Sequence, residues 1–196
     1  MANRNKQDQE TFLDKEIDLQ QQYSKVEEWI NENRTKVVTV VGAILLLVIA
    51  VVAFRSIYLP GQEKEAQEEM WFAQSQFEID SFNVALNGDG TNAGFLDIIG
   101  DYSGFTKSVD LANYYAGVCY LNMGDYQSAI DHFGNFGGND EMVSSMALGQ
   151  TGDAYMELGE TSKGISFYKK AAKNSDNGLT APMFYIKAGM AMEKEG

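Results

Sequence analysis

From Val37 to Phe54 the chain carries no charge, and Thr39 is the only polar side chain in the run. Wound into a helix at about 1.5 Å per residue, the run extends roughly 27 Å, which with its flanks is enough to cross a hydrocarbon core. Arg34 and Lys36 precede it, and Arg55 and Tyr58 follow it. Cationic and aromatic groups of this kind settle at headgroup depth, so residues 37–58 are expected to form a single transmembrane anchor. The other reading is a secretory leader cleaved after Val51-Val52-Ala53. Against it, the thirty-six residues before the run carry eight acidic and six basic side chains. Such a head is too long and too acidic for a leader, and an uncleaved anchor is expected.

Basic residues near its ends orient such a span. Within about twenty positions before it lie Lys25, Arg34 and Lys36, with Lys15 close by, and after it only Arg55 and Lys64. The head, residues 1–36, should therefore be cytoplasmic and the body extracytoplasmic. In a Gram-negative bacterium that means an inner-membrane protein with a periplasmic body. The net charge is −13, and from Leu59 onward twenty acidic side chains outnumber eight basic ones. A surface this acidic repels phosphate, which makes nucleic acid a poor partner.

The body contains an internal repeat. Gly117, Tyr120, Gly124, Ala129 and Phe133 recur thirty-five residues later as Gly152, Tyr155, Gly159, Gly164 and Tyr168. A third copy opens at Ala188-Gly189, offset by thirty-seven. Glycine within a helix costs about 1 kcal/mol relative to alanine, so Gly117, Gly152 and Gly189 in one phase imply close approach of neighbouring helices. Apolar residues recur at helical spacing from Leu111 to Met123 and again from Met146 to Leu158. Gly124-Asp125 and Gly159-Glu160 break the two runs, and Ile130 and Ile165 open the returning faces. Upstream, a long helix is expected over Gln62 to Leu86, with a short partner around Phe95 to Ile99.

A small residue, an aromatic three later, a small residue nine after that and an aromatic four further on: this order resembles the tetratricopeptide repeat. The resemblance covers Asp110 to Gly196. It implies an α-solenoid of helical hairpins, which with an N-terminal amphipathic helix and one transmembrane helix makes the expected fold all-α. Residues 59–109 read as a divergent first hairpin and 110–196 as the repeats proper, the last with a first helix but not its second. Further chain or a partner is expected to cover that unit's apolar face. Phe136 and Gly164 depart from the family's alanines and are expected to loosen second-helix packing.

Catalytic signatures are weak. Ser166-x-x-Lys169 and Ser175-Asp176-Asn177 fit two marks of penicillin-interacting serine enzymes, but both fall on or just after one repeat helix, without K-T-G. Asn87 to Asn92 suggests a calcium loop, yet no Glu closes it at the twelfth position, and a turn is expected. Cys119 and His132 are the only residues of their kinds. Zinc clusters of Cys and His are excluded by count. No catalytic, cofactor or metal site is expected.

In the tetratricopeptide family the first helix of each unit lines a concave groove. The repeat phase carries that role to Leu111, Tyr114, Val118 and Leu121 in the first unit. Met146 and Met156 follow in the second, and Met183, Ile186 and Met190 in the third. Flexible thioethers adapt to many apolar shapes, so this lining suits unfolded segments or an amphipathic helix; packing by a helix of the same chain is the alternative. Asp153 and Glu157 stand where basic clamps for acidic tails would be needed.

In the head, Phe12, Leu19, Tyr23, Val26 and Ile30 fall at near-helical spacing and form an amphipathic helix. Head, span and acidic repeat body, with Glu28-Trp29-Ile30-Asn31-Glu32-Asn33 before the membrane, resemble the YfgM-like ancillary subunits of the SecYEG translocon. That resemblance implies a non-enzymatic scaffold, with the translocon, a PpiD-like periplasmic chaperone and nascent secreted chains as partners. A scaffold for another envelope assembly or secretion machine shares every feature used.

Overall fold

The computed structural model describes residues 23–174 and 178–195, and every regular element among them is helical. Contacts divide the chain into two compact units, up to Phe54 and from Arg55.

In the first unit, residues 23–32 are helical and α1 follows over Arg34–Ala53. No residue of α1 is buried. The helix to which it belongs contains an apolar window of mean hydropathy 3.2, long and apolar enough to cross a membrane. Thr39 returns its hydroxyl hydrogen to the Thr35 carbonyl at 2.8 Å. The one polar side chain of the run is thereby satisfied within the helix, as an apolar environment demands.

The second unit opens with a π-helical turn, Phe54–Tyr58, its first residue shared with the boundary, and continues as α2, Leu59–Glu78. Pro60 falls in the first turn of α2, where its missing N–H is no loss. The expected helix to Leu86 stops at Glu78. Asp80 takes a left-handed φ of 59°, and the Ser81 N–H closes back on the Gln76 carbonyl at 2.9 Å. Aspartate tolerates that conformation better than most residues. The reversal produces a separate short helix, α3, Phe82–Asn87, and sets Phe82 edge-on to Phe77 at 5.7 Å. After α4, Phe95–Asp101, the ring of Phe95 stacks on Tyr115 at 5.1 Å. Ala66, Met70 and Ala73 of α2 join Phe95, Ile98, Val109, Ala112, Ala116 and Cys119 in one core.

Two hairpins follow: α5, Lys107–Met123, with α6, Tyr126–Asn135; then α7, Glu141–Glu157, with α8, Thr161–Asn174. Thr106, Asp125 and Asp140 each accept the N–H three residues on, capping α5, α6 and α7. Gly124 and Gly159 adopt φ of 82° and 75°, and their turns repeat bond for bond: Asp125 N–H to Tyr120 O, and Glu160 N–H to Tyr155 O, both at 2.9 Å. The last helix, α9, Thr180–Glu195, packs Phe184, Ala188 and Ala191 against Ile165, Tyr168, Ala171 and Ala172.

The phased glycines divide two to one. A Cβ at Gly117 would meet the Phe133 ring at 2.7 Å, and one at Gly152 the Tyr168 ring at 2.7 Å, so in both hairpins an aromatic of the second helix lies on a glycine of the first. Gly189 faces nothing within 4 Å. Gly164 does not loosen its hairpin: a Cβ there would meet the Met156 sulfur at 2.6 Å and the Gly152 carbonyl at 3.1 Å, so the bare backbone brings α7 and α8 together while Met156 fills the space. Phe136 ends α6 with its ring 5.9 Å from Tyr114 and is half-buried.

Alanine at Gly117 or Gly152 can be relieved only by shifting a buried ring or the whole hairpin, and overpacking of this kind costs about 1–3 kcal/mol. Alanine at Gly189 meets no atom and should be neutral, or stabilise by up to about 1 kcal/mol through helix propensity. Denaturant midpoints of the three full-length variants in mild detergent check the contrast.

Candidate partner-binding surface

The nine residues assigned to a concave groove do not share one surface. Leu111 packs on the core around Ala112 and Ala116. Tyr114, Val118 and Leu121 pack against Ala129, Phe133 and Ala147 between the two hairpins. Met146 and Met156 are half-buried against the cluster of α8 and α9. Only Met183, Ile186 and Met190, exposed by 37%, 57% and 66%, face outward, on α9.

The physical reason is a residue that periodicity could not single out. Phe184 is 1% exposed and lies on Gly149, where a Cβ would fall 1.9 Å from its ring. Glycine in that slot of α7 lets α9 close over it. Met146 and Met156 are partly covered by this packing, while Met183, Ile186 and Met190 form an outward apolar face on α9.

Polar groups tie the helices together. Asp153 of α7 accepts the Tyr168 hydroxyl at 2.6 Å and the Lys187 ammonium at 2.8 Å, linking α7, α8 and α9. Burial first, then this carboxylate, pushes the Tyr168 phenol well up. His132 stacks on Tyr120 at 5.2 Å, and in the next unit Phe167 stacks on Tyr155 at 5.3 Å, thirty-five residues on in both members. Its Nδ1 lies 3.1 Å from the Oδ1 of buried Asn113, whose amide donates to the Val109 carbonyl, so the imidazole donates. Burial lowers the His132 pKa from 6.5, and Asp131 opposes this.

Ser166 and Lys169 are exposed on α8, and the Ser175-Asp176-Asn177 motif lies outside the described residues. Asp89 folds its own loop, accepting the N–H of Thr91 at 2.9 Å and of Asn92 at 2.7 Å. Between α2, this loop and α4 lies a cleft of about 680 Å³ containing Trp71, which is 72% exposed. Two of its four acids bond within the fold: Asp97 accepts the Gly94 N–H at 2.9 Å, and Glu69 bonds to the Tyr102 hydroxyl.

Two outcomes follow for stability. A histidine whose folded pKa is depressed binds its proton more readily when unfolded, so stability present above pH 6.5 falls as pH drops through that value. Because the chain has a single histidine, His132→Phe, which copies Phe167, should flatten that part of the thermal-melting profile. Asp153→Ala should cost about 1–3 kcal/mol, chiefly through the Tyr168 hydroxyl, because the surface pair with Lys187 contributes under about 1 kcal/mol. Urea unfolding of this variant beside Lys187→Met separates the two contributions.

Residues 111–139 match the model of the tetratricopeptide repeat family, a span that takes in α5 from Leu111 onward, the Gly124 turn and α6. No curated protein matches the chain. The match supports a protein that contains a tetratricopeptide repeat, and a repeat of this kind suggests a protein-interaction scaffold.

Proposed function

We propose that this chain is a non-enzymatic scaffold, anchored in the bacterial inner membrane by a single span, which holds an α-solenoid of hairpins in the periplasm beside the Sec translocon. The observation that carries the reading is a helix of mean hydropathy 3.2 with none of its apolar window buried, in the same chain as a tetratricopeptide repeat. An apolar helix that finds no core of its own is stable only where lipid or another protein covers it. Arg34 and Lys36 ahead of α1 favour a cytoplasmic head.

On this reading the body recognises proteins through packed surfaces. The outward face of α9, with Met183, Ile186 and Met190, offers apolar contact to an amphipathic segment of a chaperone or an emerging chain. SecYEG, a PpiD-like chaperone and nascent secreted chains are the partners implied. Purification of the full chain in mild detergent, followed by mass spectrometry, should recover Sec components. Recovery of only other envelope-assembly factors would replace the translocon by another machine and leave the scaffold standing. A cytoplasmic location for a reporter fused after Gly196 would overturn the topology.

A further inference from the structure

From Leu59 to Asp101 the chain carries nine acidic side chains and one basic one, Lys64. Part of that charge is used within the fold. Glu63 accepts the Lys107 N–H at 2.7 Å and the Ser108 hydroxyl at 2.9 Å, which commits it to the N-terminus of α5, where negative charge is favoured. The cleft of about 680 Å³ between α2, the loop after α3 and α4 is different. Of its four acids, Glu69 and Asp97 are bonded as described, and Glu68 and Asp101 are the other two. No basic side chain lines the cleft among the described residues. Lys64 lies 3.9 Å from Glu68, but both side chains are more than two-thirds exposed, and so wet a pair contributes little.

Two features set this cleft apart from a solvated acidic face. One is Asp101. It is the last residue of α4, where a helix dipole disfavours negative charge, and it stands four residues after Asp97, a like-charge spacing that also costs stability. Its field converges with those of Glu69 and Glu65 on the Tyr102 phenol, which burial first and then the Glu69 bond push up to about 12. The other is Trp71. This large apolar side chain is left exposed one helical turn after Glu68, so that indole and carboxylates line one cavity. The face of an indole attracts cations, so the ring and the acids call for the same kind of partner.

The geometry points to a docking site for a basic, extended segment of a partner protein, with an arginine guanidinium laid over Trp71 and paired with Glu68 and Asp101. Arginine suits the cleft better than lysine, because its planar group stacks on an aromatic face while its N–H fork bonds carboxylates. The site belongs wholly to the unit from Arg55 onward, and it depends neither on the span nor on the apolar face of α9. A partner held here is selected by charge, where α9 offers only apolar contact.

The test uses the full chain in mild detergent with Trp29→Phe, which leaves Trp71 as the only tryptophan. The probe is a synthetic peptide of glycine, serine and spaced arginines with uncharged ends, titrated at about 0.1 M salt; a control peptide carries glutamate for arginine. The expected result is a saturable change in Trp71 emission with the arginine peptide and none with the control. By anisotropy of the labelled arginine peptide, Trp71→Ala should weaken binding about tenfold, the size of a cation–π contact partly removed from water. Glu68→Gln with Asp101→Asn should produce a comparable loss. Glu157→Gln with Glu193→Gln removes the same charge from exposed positions on α7 and α9, which do not line the cleft, and should leave affinity within about twofold. A silent Trp71, an unchanged affinity in Trp71→Ala, or equal losses from the two charge-neutralised pairs overturns the site. An equal response to arginine amide at the peptide's own concentrations overturns the peptide as occupant and leaves a small cation. Recovery of Sec components is read separately, so failure here leaves the scaffold reading standing.

Discussion

An aromatic ring lying on a glycine is the contact on which the hairpins depend. Phe133 covers Gly117 and Tyr168 covers Gly152, each at a distance no Cβ could tolerate. Glycine in a helix interior costs about 1 kcal/mol in propensity, and the buried aromatic offsets it with its large apolar area. The rest of each hairpin follows from that crossing. With the helices this close, small residues suit the surrounding contacts, and Ala129, Ala147, Ala154 and Ala171 on these helices are all buried. The left-handed glycines at the turns then bring the second helix back within reach of the first.

The same device links one unit to the next. Phe184 of α9 occupies the space a side chain at Gly149 would have filled, and Asp153 fastens the neighbouring turn through Tyr168 and Lys187. Surface that could have formed a hollow between first helices is spent on packing. On α9, Met183, Ile186 and Met190 are left exposed on the outside.

Hairpin geometry was legible in the sequence because its determinants are periodic: glycine, aromatic, turn glycine and second aromatic return at one offset, and the structure places the first two hairpins in that phase. Gly189 shares the phase without the contact, since a glycine's position says nothing about whether a ring arrives to cover it. The break at Asp80 was illegible because a left-handed aspartate leaves no pattern, and apolar residues continue on both sides of it. The exposure of the groove residues was illegible for a related reason. Methionines at first-helix positions look the same in sequence whether they face solvent or the next unit, and Gly149, which decides the matter, reads only as one more weak helix former. His132 was legible as a lone residue, but its place in the repeat emerges from the parallel stacks on Tyr120 and Tyr155.

The grip of Glu63 on the start of α5 has a mechanical consequence. A pull applied at Arg55 would reach the hairpin of α5 and α6 within about one turn of Leu59, through the bonds to Lys107 and Ser108, before loading the short helices α3 and α4. These bonds run from one carboxylate to neighbouring groups on α5, so they share the strain instead of failing one after another. Force entering at Arg55 is thus passed to α5 by a route that bypasses the α3–α4 segment.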